Sequence, residues 1–336
     1  MSHGRVKNIY LSDVNTANGR LPDFLIVGAA KSATTSLHAY LRQHPSIFMP
    51  LYKEPHFFSY ADTEYNGSLR AKTLRQYRDF FGPARPFQIM GEASTTYLYN
   101  YGHTIENIRK AYGADAEKIK IIISLRNPAD RVFSHYSMYN LIGLEKLPFD
   151  EAVRTGAVDR LNKDLDTERF GITVDYLEAG MYYAQVKAYK EAFPSVHIVL
   201  YDDIKRDSYA VVRGIFRFLG VAEDQDVSCA VAYNDTGAPR IACINTFFNK
   251  MSKLLVTKRS RIKNVIAKYA GMFINWTAFG MFWKPRIFKI LRRIRFMNIK
   301  RVQISPDARK RMVDFYRDDI VRLEGLIGRD LSSWLS

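Results

Sequence analysis

The chain has 336 residues, 47% hydrophobic and 25% charged, enough for one sizeable buried core of a single soluble domain. Lys and Arg number 50 against 34 Asp and Glu, a net charge of +16, yet no nucleic-acid reader motif accompanies that charge, which argues against DNA or RNA as partner. Two cysteines, Cys229 and Cys243, exclude a disulfide framework and point to a reducing compartment.

Residues 1–20 hold Ser, Asn, Gly and mixed charge without an apolar core. They read as a loose tail, neither signal peptide nor anchor, so the cytoplasm is the expected location, with a peripheral position on the inner membrane face. Residues 21–336 read as one domain. Residues 24–27 form a short apolar strand, Gly28 permits a tight exit, and Lys31, Ser32, Thr34, Thr35 and Ser36 crowd a helix start with hydrogen-bonding groups. A helix start of this kind cradles anions, because its unpaired amides and positive dipole end face the ligand. The loop departs from the nucleotide-kinase pattern GxxxxGK[ST], since Ala30 precedes Lys31. An ordinary strand-to-helix turn with a solvated lysine is the alternative, and the density of polar groups outweighs it.

Strand and helix signals continue to residue 44, a short strand follows at 88–91, and an Ile-rich run at 118–125 reads as a central parallel strand. It ends in Arg126, and Pro128 suits a first helical turn. Arg131 and Ser134 then share a helix face near Arg126, where a guanidinium and a hydroxyl suit a second phosphate; the competing reading pairs Arg131 with Asp130 at the surface. A helix over 182–193 and a strand over 196–201 complete the pattern, with Tyr201 at the carboxyl end of that strand, where ligands of doubly wound sheets lie. The alternation predicts an α/β fold, a parallel sheet with helices on both faces.

The segments Lys31 to Leu37 and Arg126 to Tyr136 together resemble the sulfotransferases that use 3′-phosphoadenosine 5′-phosphosulfate (PAPS), with Ala33 where Gly is commoner. The resemblance runs on through Lys53-Glu-Pro-His-Phe-Phe58, Gly91 to Tyr97, Leu200 to Ile204, Phe216 to Gly220 and Gly328 to Trp334, and looks closest to the bacterial and carbohydrate-modifying branch. It implies a P-loop-like fold and transfer of a sulfuryl group from PAPS to a hydroxyl of a carbohydrate or glycolipid, without a metal. It also implies that residues 31–36 bind the 5′-phosphosulfate, that Arg126 and Ser134 bind the 3′-phosphate, and that Tyr201 touches the nucleotide. Arg240 resembles a late basic loop over the 3′-phosphate, although its spacing departs from the usual form.

Lys31 is expected to neutralise the leaving oxygen, with Ser134 drawing it aside beforehand. Glu54 and His56 are the candidates for the base. Glu54 is favoured because it occupies the place of the base in heparan-type relatives, and the competing reading makes Lys53 and Glu54 a surface pair. Sixteen Lys and Arg and no acidic residue fall within residues 240–306, so the remainder of the chain is charge-balanced. Within it, an aromatic run at 269–283 is too short to span a bilayer. A membrane-surface patch, a groove for an acidic glycan, and plain basicity beside the nucleotide compete for this segment, with an anionic membrane first. The rival functions are a nucleotide or sugar kinase, which lacks its GK[ST] and a Mg²⁺ carboxylate, and a non-catalytic membrane-surface nucleotide-binding protein.

Overall fold

A computed structural model describes residues 19–61, 71–154, 175–229, 238–239, 299–300 and 302–336. Five strands, β1 (Phe24–Gly28), β2 (Ile47–Phe48), β3 (Ile89–Ala93), β4 (Lys120–Leu125) and β5 (Val196–Leu200), form a wholly parallel sheet in the order β2-β3-β1-β4-β5. Every residue of β1 is buried, as the centre of a sheet covered on both faces requires.

Successive side chains of a strand point to opposite faces, and β1 divides its residues accordingly. Leu25 and Val27 join a core with Ile121 and Ile123 of β4 and with Ile108, Val186, Tyr316 and Leu323 from the helices Tyr101–Tyr112, Tyr182–Ala192 and Pro306–Ile327. Phe24 and Ile26 join a second core with Leu37, Leu41, Ile215 and Phe216, from the helices Thr34–Leu41 and Ser208–Leu219. Gly91 on β3 pairs with Phe24, whose ring lies across it: a Cβ there would sit 2.0 Å from the ring, so only glycine fits.

The expected strands and the helix over 182–193 are present with shifted ends. Lys118 closes a 3-10 turn, Gly113–Lys118, before β4 begins, and Tyr201 opens a short helix, Tyr201–Arg206, instead of ending β5. The edge strand β2 is only two residues long, too short for a periodic signal, whereas the 22-residue helix Pro306–Ile327 has a Ser305 cap, Pro306 in its first turn and Gly328 at its end, signals that the expectations above do not use. Among the described residues no helix is long and apolar enough to cross a membrane. The aromatic run at 269–283 and all of residues 240–298, Arg240 included, lie outside the described residues.

Candidate active site

The loop after β1 is pinned from the neighbouring strand. The Ala29 amide donates to the Ser124 carbonyl at 2.6 Å, Ser124 Oγ donates to the Ser32 carbonyl at 2.5 Å, and Arg126 Nη1 donates to the Lys31 carbonyl at 3.3 Å. Lys31 and Ala33 take left-handed backbone with φ of 71° and 63°, which turns the chain sharply into the helix Thr34–Leu41. Ala33, at the N-cap, offers no capping side chain, so the positive end of the helix dipole faces the loop. Ser32 Oγ and Arg126 Nε are buried without a hydrogen-bond partner among the described residues. Buried polar atoms are rarely left so, and these fit the oxygens of an anionic group.

Among the described residues Lys31 Nζ finds only a weak acceptor, Met138 Sδ at 3.6 Å, one turn beyond Ser134 on the helix Pro128–Ile142. Burial, then Arg126, Lys53 and Arg131, lower the Lys31 ammonium to about 7, against an upward pull from Glu54. An anion in the loop reverses this by stabilising the charged form.

Glu54 and His56 stand on the segment that crosses the end of β3, both with positive φ, 63° and 56°. The Glu54 amide donates to the Ala93 carbonyl at 3.0 Å and the His56 amide to Ser94 Oγ at 3.0 Å, which fixes this turn to the strand. Burial pushes the Glu54 carboxyl up, but Lys53, His56 and Lys31 together outweigh it and hold the group at about 2. Glu54 therefore carries a full negative charge, and its field pulls the Lys31 ammonium upward. His56 Nδ1 lies 2.8 Å from Thr96 Oγ1, and Nε2 lies 3.8 Å from Glu54 Oε2.

The surface reading of Lys53 and Glu54 is wrong. Lys53 is buried, and its Nζ donates both to Glu54 Oε1 at 2.5 Å and to Thr34 Oγ1 at 3.2 Å, in the first turn of the loop helix. Both readings of Arg131 also fail. Its guanidinium is wholly buried, donates to the Tyr176 carbonyl and lies 3.3 Å from His135 Nδ1, while Asp130 pairs with Arg309 at 2.5 Å. Arg131 thus spends its two terminal nitrogens on the core between helices, with Nε unpartnered among the described residues, and Arg126 is the guanidinium at the strand ends.

Arg126 lies over the Tyr201 ring, 4.7 Å from its centroid, so β4 and β5 present these side chains together. The chain terminus braces both strand ends: Trp334 Nε1 donates to Asp202 Oδ2 at 2.9 Å, and Asn127 Nδ2 donates to the Trp334 carbonyl at 3.3 Å. Asn127 also caps the helix that carries buried Ser134. Sequence reasoning missed Glu92, a buried acid on β3 that accepts from Ser94 Oγ at 3.4 Å. Burial raises its carboxyl to about 8, against opposing hydrogen bonds from Tyr97 and Ser94. Its only sequence signal was an acid inside an otherwise apolar strand.

The Sulfotransferase domain family model matches residues 21–292. The mouse bifunctional heparan sulfate N-deacetylase/N-sulfotransferase 4 is 28% identical over 224 residues, 64% of this chain and 24% of that protein. The bovine bifunctional heparan sulfate N-deacetylase/N-sulfotransferase 2 is 34% identical over 125 residues, 35% of this chain and 13% of that one. The chain thus spans about a quarter or less of the length of these curated relatives. The crystal structure of a sulfotransferase from Alicyclobacillus acidocaldarius aligns with a TM-score of 0.64 at 28% identity, covering 94% of this chain and 100% of that one. With the expected loop, strand ends and parallel sheet in place, the chain belongs to the sulfotransferase domain family.

Proposed function

We propose that this sulfotransferase takes its sulfuryl group from PAPS and passes it to a hydroxyl on a carbohydrate or glycolipid. The observation that carries this reading is that Lys53 ties the Glu54 carboxylate to Thr34, in the first turn of the anion-loop helix that follows Lys31. The loop amides, Ser32, Thr34, Thr35 and Ser36 hold the 5′-phosphosulfate, with Ala33 supplying the left-handed turn. Arg126 and Ser134 take the 3′-phosphate, and Tyr201 steadies the Arg126 fork.

Glu54 accepts the acceptor proton as the acceptor oxygen bonds to sulfur. The sulfur–oxygen bond to the 5′-phosphate breaks, and Lys31 neutralises the charge left on that oxygen as adenosine 3′,5′-bisphosphate (PAP) departs. Positioning and charge stabilisation carry the catalysis. Both ring nitrogens of His56 face protein groups, which suits orientation of Glu54 better than proton removal.

The carbohydrate acceptor is supported by the names of the matched relatives, which are heparan sulfate N-sulfotransferases. The acid-free residues 240–306 suit contact with an anionic membrane that presents a lipid-linked acceptor. Co-sedimentation with liposomes should then rise with anionic lipid and fall with salt; retention in the supernatant at low salt, with binding to a soluble acidic glycan, assigns the segment to acceptor recognition instead. The sparing use of cysteine, two in 336 residues, supports a cytoplasmic location.

Thermal shift with PAP, with ATP and Mg²⁺, and without ligand tests the nucleotide assignment. PAP should raise the melting temperature and ATP should not; the reverse order overturns the reading. Transfer of labelled sulfate from PAPS to desulfated glycosaminoglycan and glycolipid panels then identifies the acceptor, with amine-bearing and amine-blocked members separating nitrogen from oxygen sulfation.

A further inference from the structure

The roles given to Lys31 and Glu54 make no use of Lys53, yet this side chain is a cation only 4% exposed. Its ammonium joins two parts of the site that are distant in sequence: Glu54 Oε1 at 2.5 Å and, 19 residues earlier, Thr34 Oγ1 at 3.2 Å. An ammonium has three N–H groups, and two of these are committed. Its field reaches both reacting groups, for it is the strongest of the neighbours that keep Glu54 ionised and it also lowers Lys31.

A carboxylate placed beside an anion loop raises an electrostatic problem. Like charges repel more strongly in a partly desolvated site than in water, so an unscreened Glu54 would weaken binding of a phosphosulfate. Neutralising Glu54 by protonation would solve this at the cost of the base.

We propose that Lys53 is a positioning residue that compensates the charge of Glu54 and ties it to the loop helix, so that an anionic base and an anionic sulfuryl donor share one site. The proposal rests on the assignment of PAPS and Glu54 above. Lys53 acts through Glu54 and needs no contact with the nucleotide.

Calorimetric titration of the full chain with PAP tests it by a double-mutant cycle. Lys53→Met should weaken PAP binding by about tenfold or more, Glu54→Gln should change it by less than about threefold, and the double variant should return to within about threefold of the wild type. Lys53→Arg should bind close to the wild type. A double variant as weak as Lys53→Met shows that Lys53 holds the nucleotide directly and overturns the proposal. So does wild-type affinity in folded Lys53→Met, the result a purely structural role gives.

Should Lys53→Met fail to fold, the double variant carries no unpaired charge and is compared with Glu54→Gln alone: equal affinity supports the proposal, and a tenfold loss overturns it. If the wild type binds no PAP, the nucleotide assignment fails by itself. Carbon-13 titration of the Glu54 carboxyl still reads the pair without nucleotide. Its midpoint should rise by more than about one pH unit when Lys53 is replaced in a folded variant, and an unchanged midpoint refutes compensation.

Discussion

The Arg126 guanidinium lies over the Tyr201 ring at 4.7 Å, and this stack joins the carboxyl ends of β4 and β5. It holds the fork toward the Lys31 carbonyl while leaving Nε without a partner among the described residues. On the proposed nucleotide assignment, Tyr201 acts through Arg126. Tyr201→Phe should keep PAP affinity within about twofold, whereas Tyr201→Leu should lose about three- to tenfold, the scale of a cation–π contact. Calorimetry that finds the Phe variant as weak as the Leu variant would transfer the role to the hydroxyl.

Arg126→Ala and Ser134→Ala should weaken PAPS more than adenosine 5′-phosphosulfate, which lacks the 3′-phosphate. Competition binding with both nucleotides reads the difference as a ratio. Equal losses for the two would show that these residues serve the loop or the fold.

Lys31→Ala should remove about 3 kcal/mol or more of transition-state stabilisation while leaving the circular dichroism spectrum and melting curve close to the wild type. Binding carries a second signature. The free ammonium titrates at about 7, and an anion raises that value. Below pH 7 the group is already charged; above it, binding must take up a proton, so PAP affinity should fall as pH rises from 7. Calorimetry in buffers of unequal ionisation heat should detect proton uptake in the wild type, and less in Lys31→Met.

Glu54→Gln should reduce single-turnover transfer by about two to four orders of magnitude, since glutamine keeps the shape but accepts no proton. His56→Ala should cost less, because Thr96 and Glu54 occupy the two sides of its ring. With Glu54 held at about 2, the acid limb of the wild-type pH profile should lie far below neutrality. A limb near pH 6 to 7, lost in His56→Ala, would assign the base to His56.

Glu92 gives a stability prediction with a defined sign. Its folded value of about 8 exceeds the ordinary 4.5, so the folded state holds the proton more tightly than the unfolded chain. The contribution is fully present below 4.5 and is lost as pH rises through 8. Its Oε1 has no partner among the described residues, which deepens the cost of ionisation. Glu92→Gln should therefore raise the melting temperature more at pH 8.5 than at pH 5, and equal shifts at both pH values would refute a buried neutral carboxyl.

The sequence by itself determined those parts of this protein whose signals are local. β1 is an unbroken apolar run, the loop after it concentrates hydroxyls and one lysine, and Pro128 sits at the start of its helix. Each of these follows from residues within a few positions of one another, so strand, anion loop and helix start were legible without coordinates. Tertiary structure decided the rest, because burial and charge depend on neighbours through space. Lys53 reads as a surface lysine until Thr34 is brought to its ammonium. Arg131 reads as a phosphate ligand until its own helix and the Tyr176 carbonyl enclose it. Glu92 becomes a proton-holding acid only because the packed sheet and its tyrosines remove water from a carboxyl that the chain alone would leave ionised.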